Sequence, residues 1–107
     1  MIPVIDQHRD DVVALCRRFG VRRLEVFGSA ATGAFDPKRS DIDLLVDLDA
    51  GGGNLFSRYF GLKEALEGLL GRQVDLVMVG ALRNPYFIAS VEETRRLVYA
   101  APVAETA

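Results

Sequence analysis

The chain has 107 residues, half of them hydrophobic and 26% charged, with a formal net charge of −2. This length predicts one domain over residues 1–107, with no room for a second core. The slightly acidic balance disfavours strong sequence-independent nucleic-acid binding, which requires a basic surface. The one cysteine, Cys16, excludes an intrachain disulfide, and its apolar neighbours at helical spacing predict a buried thiol.

Hydropathy and the N-terminal sequence predict where the protein works. No apolar run approaches the roughly 20 residues that cross a bilayer, and the N-terminus lacks the pattern of a secretory signal. We therefore expect a cytoplasmic protein without membrane association. Because so small a domain has little spare core, we also expect it to associate with another chain, either a copy of itself or a partner.

Apolar periodicity divides the chain into alternating helices and strands, which predicts an α/β (α+β) fold with a small mixed β-sheet of three to four strands flanked by helices. Asp6 and Asn54 are predicted N-caps, and Gly20 is a predicted helix end. Residues 101–107 are predicted to form a frayed tail. The predicted elements are helix 6–19, strand 23–27, a brief helix 30–32, loop 34–40, strand 41–48, helix 54–70, strand 73–79, a helix starting at 85 and strand 96–99.

The clearest candidate site residues are two acids at the start of the strand over 41–48. Asp41 and Asp43 are two residues apart, so their carboxylates project from one face with Cα atoms roughly 6.5 Å apart. The opposite face is apolar and predicts a firmly packed strand. Two converging carboxylates repel each other unless a cation lies between them, and Mg²⁺ prefers such oxygen ligands. A solvated strand face is the alternative interpretation.

Two further features accompany the acid pair. Gly28-Ser29 directly follows a strand, where glycine allows a tight turn and serine offers a hydroxyl and a backbone N–H to phosphate; an ordinary turn has the same composition. Asp75 interrupts the apolar strand over 73–79, where a charge is costly unless it is paired or bound to metal. If this strand lies beside that of Asp41, Asp75 completes a triad; otherwise it is an exposed strand-edge residue.

The order of Gly28-Ser29, a spacer, Asp41-Ile42-Asp43 and a later strand acid resembles the DNA polymerase β-like nucleotidyltransferase superfamily. The short length and the segments 84–87, 91–93 and 97–99 are most similar to its minimal nucleotidyltransferases (MNT), and the resemblance extends over residues 6–100. It implies that Asp41, Asp43 and Asp75 are catalytic metal ligands, with Asp75 as general base. It also implies that Gly28 and Ser29 hold the triphosphate.

The implied reaction is Mg²⁺-dependent transfer of a nucleoside monophosphate to a hydroxyl, with two Mg²⁺ ions as cofactors and ATP or another nucleoside triphosphate as substrate. Thr32 stands where many relatives have a basic residue, and the spacer after Ser29 is one residue longer than the commonest form. Four basic residues are candidates for the missing positive charge or ordinary surface residues: Lys38, Arg39, Arg58 and Lys63.

The resemblance implies a partner and leaves three functions open. Similar minimal proteins pair with helical HEPN-type toxins as antitoxins and modify a tyrosine on them. A non-catalytic antitoxin that neutralises its partner by contact is the alternative. Transfer to a small molecule such as an aminoglycoside is a third, disfavoured because relatives of that kind carry an additional acceptor domain. The aromatic residues at helical spacing are expected in the core or at a partner interface: Phe56, Tyr59, Phe60, Tyr86 and Phe87.

Overall fold

A computed structural model of the chain describes residues 3–28, 31, 41–49 and 53–102. Within them, helices and strands alternate along the chain, as the sequence predicts. None of the described helices has the length and apolar character needed to span a bilayer. The helices are α1 (Pro3–Gln7), α2 (Arg9–Phe19), α3 (Leu55–Leu70) and α4 (Pro85–Thr94), the strands are β1 (Val21–Phe27), β2 (Ile42–Leu48), β3 (Val74–Met78) and β4 (Arg96–Ala100), and Val79–Ala81 form a 3₁₀ turn.

The strands form one mixed four-stranded sheet in the order β3-β2-β1-β4. β1 is antiparallel to both β2 and β4, whereas β2 and β3 are parallel and are joined through α3. A helical crossover is the usual connection between parallel neighbours. The predicted fold class, a small mixed sheet flanked by helices, is confirmed.

One face of the sheet packs against α1, α2 and α3 and forms the main core. The alternation in β2 decides which residues enter it: Ile42, Leu44 and Val46 are at most 1% exposed and pack against Leu62 and Leu66 of α3, which are fully buried. Burial of each such side chain contributes about 1.5–3 kcal/mol. The predicted inward face of β2 is confirmed, and its other face is left to α4 and to the acids.

The helix predicted over 6–19 is interrupted at His8, so the prediction of one helix with Asp6 as N-cap was wrong. Asp6 lies inside α1, where its carboxylate pairs with Arg9 at 3.1 Å. The backbone N–H of His8 donates to the carbonyl of Ile5 at 3.2 Å, which closes a tight turn before α2. The break lets α1 place Ile5, 2% exposed, into the main core.

Other local predictions are confirmed. The side chain of Asn54 accepts a hydrogen bond from the backbone N–H of Ser57 and begins α3, and Gly20 ends α2 in the left-handed conformation. Cys16 is fully buried, which raises the pKa of its thiol to about 12, so the thiol stays protonated and unreactive. The predicted tail is described only at 101–102, and residues 103–107 lie outside the described residues.

Candidate functional site

The pairing of β2 with β3 brings the candidate acids together at one end of the sheet. Asp43 and Asp75 are direct partners in the parallel register, so their Cα atoms are separated by one strand spacing of about 4.8 Å. Asp41 lies immediately before β2, where the N–H of Ile42 donates to the carbonyl of Gln73 at 3.1 Å and fixes the start of both strands. The expectation that the strand of Asp75 lies beside that of Asp41 is therefore met.

Asp43 is the electrostatic centre of this group. It is half-buried between Asp41 and Asp75, which are both exposed. Burial, and then the negative charges of Asp75 and Asp41, raise the pKa of the Asp43 carboxyl from 3.8 to about 6. The two neighbouring charges raise this pKa because the three carboxylates lie close enough to repel one another. The site therefore carries closely spaced negative charges whose repulsion a bound cation would reduce.

The donor set fits Mg²⁺ shared with a nucleotide better than a metal held by protein alone. Among the described residues, no three acidic, histidine or cysteine side chains form a ready-made metal cage. Mg²⁺ does not require one, because it is commonly bound through one or two carboxylates while phosphate oxygens and water complete its octahedron. Asp41 and Asp43, with their hard oxygen atoms on a packed strand, meet that requirement.

The Gly28 turn lies against the Asp43 carboxylate. Phe27, the last residue of β1, is the register partner of Asp43, and Gly28 follows with φ +67°. A Cβ atom at Gly28 would lie 2.7 Å from Oδ2 of Asp43. Both the positive φ and this close approach require glycine here. Ser29, the other predicted member of the turn, lies outside the described residues.

Helix α4 covers the part of this face that lies beside the acids. Phe27, Leu45 and Val91 form a second buried cluster there, and the rings of Phe27 and Phe87 meet edge to face with centroids 5.9 Å apart. The apolar cover ends where the acids begin, since Asp41 and Asp75 are exposed. The acids thus stand on a rigid, partly desolvated surface that remains open to a ligand, as a catalytic site needs.

Arg58 fits neither of the two alternatives considered for it, a positive charge for the site or an ordinary surface residue. Its side chain is 10% exposed. The guanidinium donates to the carbonyl oxygens of Phe19, Gly20 and Asp49 and to the Asp49 carboxylate, all at 3.0–3.1 Å. Asp49 follows the far end of β2, about 20 Å along the strand from the acids. Arg58 therefore ties α3 to the end of α2 and does not face the site.

Of the other candidate cations, Lys63 is the one that lies within the described residues. Lys63 pairs with Glu67 one turn along α3, with Nζ 3.4 Å from the carboxylate. Thr32, Lys38 and Arg39 lie outside the described residues. A surface cavity of about 580 Å³ is lined by Arg22 and Arg23. It is also lined by Asp47 and Asp49 and so lies at the end of the sheet opposite the candidate acids.

Two contacts near the site are not predicted from the sequence. The hydroxyl Oγ1 of Thr94 accepts a hydrogen bond from the N–H of Gly28 at 2.9 Å. Glu25 is 3% exposed and receives two hydrogen bonds from Arg95, at 2.8 and 2.5 Å. An acid between the apolar residues of β1 was a signal for the second contact, by the same reasoning that singled out Asp75. The sequence carried no such signal for Thr94.

Comparison with known proteins decides the family. Residues 12–98 match the nucleotidyltransferase domain. The chain belongs to the nucleotidyltransferase-domain family. A relative named protein adenylyltransferase MntA, from Thermococcus cleftensis, is 44% identical over 70 residues, which cover 65% of this chain and 68% of the relative. The resemblance inferred from Gly28-Ser29 and Asp41-Ile42-Asp43 is confirmed.

One solved structure places this nucleotidyltransferase among the minimal members of its family. A structure described as a minimal nucleotidyltransferase superposes with a TM-score of 0.72 at 38% identity, covering 86% of this chain and 90% of that one. The complex of a tri-AMPylated HEPN toxin of Shewanella oneidensis with an MNT antitoxin matches with a TM-score of 0.62 at 18% identity, over 90% of this chain and 72% of that one. The second likeness shows the fold alone.

Proposed function

We propose that this nucleotidyltransferase moves AMP from ATP onto a hydroxyl of a HEPN-type partner protein, in a Mg²⁺-dependent reaction, and acts as that partner's antitoxin. The observation that carries the proposal is the position of Asp43 between Asp41 and Asp75, on an open sheet face beside the Gly28 turn. The adenylyltransferase name of the Thermococcus relative supports AMP as the transferred group.

Each side chain has a defined part in this proposal. Asp41, Asp43 and Asp75 would together hold two Mg²⁺ ions, which is the arrangement that the resemblance implies. When bound, the metal neutralises phosphate charge and orients the triphosphate. The turn formed by Gly28 and Ser29 would receive the triphosphate beside Asp43.

In this proposal Asp75 acts as the general base. It is exposed at the edge strand β3, where an acceptor from another protein can approach. The hydroxyl oxygen of the acceptor bonds to the α-phosphorus, its proton passes to the Asp75 carboxylate, and the bond from phosphorus to the bridging oxygen of pyrophosphate breaks. The products are the adenylylated acceptor and pyrophosphate.

Exposed aromatic side chains support a protein partner. Tyr86 is 87% exposed and Phe56 is 71% exposed, and the ring of Phe56 lies 4.6 Å from that of Phe60, itself 45% exposed. Aromatic side chains are enriched in protein interfaces. The MNT antitoxin that shares this fold is seen with a tri-AMPylated HEPN toxin, and its partner class is the one proposed here.

Incubation of the protein with ATP, Mg²⁺ and a HEPN-type protein encoded beside its gene tests the proposal. Intact-mass spectrometry should show AMP added to the partner by the wild type, and a loss of about 10²–10⁴-fold in rate for Asp75→Asn, as for removal of a general base. Asp47→Asn, on the same sheet face but at its far end, is the matched control. Protection of cells by Asp41→Asn/Asp43→Asn at the wild-type level would instead support an antitoxin that acts by contact.

A further inference from the structure

The end of helix α4 is connected to the Gly28 turn by one side chain. Thr94, the last residue of α4, uses its hydroxyl twice: Oγ1 donates to the carbonyl of Ser90 at 3.2 Å and accepts from the N–H of Gly28 at 2.9 Å. Donation to Ser90 fixes the direction of the hydroxyl proton, which leaves a lone pair directed at Gly28. The contact joins residues 66 positions apart in the chain.

Both backbone polar groups of Gly28 are therefore bonded within the protein. Its N–H donates to Thr94, and its carbonyl accepts from the N–H of Ala31 at 3.1 Å. Gly28 has no further donor to offer a phosphate. In the turn, Gly28 therefore contributes the backbone shape and not a hydrogen bond to phosphate.

The Thr94 contact also fixes how the turn meets the acid centre. Gly28 packs so closely on Asp43 that a Cβ atom would lie 2.7 Å from Oδ2. The next residue, Arg95, makes two hydrogen bonds to the buried Glu25 of β1. Arg95 therefore holds the end of α4 on β1. Because Thr94 is the neighbour of Arg95 and bonds to the N–H of Gly28, it fixes the position of Gly28 against Asp43.

We propose that Thr94 is a positioning residue for the nucleotide site: its hydroxyl holds the Gly28 N–H and so sets the turn against Asp43. This inference rests on the proposed function, because it assigns Thr94 a role at that same site. Loss of the hydroxyl should loosen the turn while the packing of α4 through Val91 remains.

The test compares Thr94→Val, which keeps the shape but loses the acceptor, with Thr94→Ser, which keeps the hydroxyl. Calorimetric titration with a non-hydrolysable ATP analogue and Mg²⁺ should show Kd raised about 10-fold for Thr94→Val, in the range seen when a supporting contact is removed from a metal site. Thr94→Ser should bind as the wild type does. Ser90→Ala, one turn earlier in α4 and exposed, is the matched control and should also bind normally.

Amide hydrogen exchange gives a second readout that needs no nucleotide. The Gly28 amide should be protected in the wild type and in Thr94→Ser, and should exchange faster in Thr94→Val. A wild-type Kd for Thr94→Val, an equal loss in Thr94→Ser, or an unprotected Gly28 amide in the wild type would overturn the inference. If the wild type binds no nucleotide, the proposed function fails, and the exchange measurement still decides the Thr94 contact.

Discussion

Asp43→Asn is expected to abolish nucleotidyl transfer and, at the same time, to make the metal-free protein more stable. Transfer should fall by at least about 10³-fold, the scale of loss when a group at the reacting centre is removed. Stability should rise because the Asp43 carboxylate is destabilised in the fold by burial and by Asp75 and Asp41, as its raised pKa of about 6 shows. At about 1.4 kcal/mol per pKa unit, removal of this charge stabilises by about 1–3 kcal/mol at neutral pH.

The stability effect has a defined pH dependence. The pKa of the Asp43 carboxyl is higher in the fold than its ordinary 3.8. The contribution of the protonated carboxyl to stability is therefore complete below pH 3.8 and is lost as the pH rises through about 6. The advantage of Asp43→Asn should therefore be small at about pH 4 and complete near neutral pH. Urea unfolding with a chelator present measures it.

The control for Asp43→Asn is Asp47→Asn. Asp47 lies on the same strand and the same face, but its carboxylate faces Arg22 at 3.8 Å at the far end of the sheet. It should change neither transfer nor stability by much. Equal stability of Asp43→Asn and wild type at neutral pH would show that the acids do not repel one another, and retained transfer would remove Asp43 from the site.

Arg95→Met is expected to destabilise the protein by about 3 kcal/mol. It leaves Glu25, whose side chain is 5% exposed, paired with Arg23 alone, whose Nε lies 3.1 Å from the carboxylate. Removal of one partner from a buried ion pair leaves the other charge buried without compensation, which typically costs about 3–5 kcal/mol. Arg23 offsets part of that cost. Urea unfolding at neutral pH measures the loss.

The pH dependence of Arg95→Met has the opposite sign to that of Asp43→Asn. The hydrogen bond from Arg95 lowers the pKa of Glu25 below its usual 4.5, so the stability that it contributes is present above that value and is lost as pH falls through the lowered pKa. The deficit of Arg95→Met should thus be largest at neutral pH and shrink in acid.

Two variants separate this ion pair from a general effect of lost charge. Arg96→Met removes the neighbouring, exposed arginine and should change stability by less than about 0.5 kcal/mol. Replacing both partners, as Glu25→Met/Arg95→Met, should recover much of the loss because no buried charge remains. If Arg95→Met were as stable as Arg96→Met, the pair would not hold α4 on β1.

The features that the sequence predicted correctly are those that local patterns determine. The alternation of β2, the Asn54 cap and the Gly20 helix end each depend on a few adjacent residues. The pairing of Asp43 with Asp75 was only conditional, because the strand order depends on how α3 crosses the sheet.

The features that the sequence did not predict depend on distant packing. The break at His8 follows from burial of Ile5 in the core, which periodicity alone does not reveal. Arg95 reaches Glu25 across 70 positions of the chain. Arg58 looked like a surface cation, yet its carbonyl partners come from the end of α2 and from beyond β2. Such contacts exist only once the elements are assembled.

The binding of a non-hydrolysable ATP analogue, with and without Mg²⁺, tests the central claim most directly, because it needs no partner protein. The claim is that Asp41 and Asp43 form a metal site that is completed by nucleotide phosphates. Calorimetry should show binding by the wild type that tightens at least about 10-fold with Mg²⁺, and no such gain for Asp43→Asn. Binding that is the same with and without Mg²⁺, or a gain retained by Asp43→Asn, would contradict it.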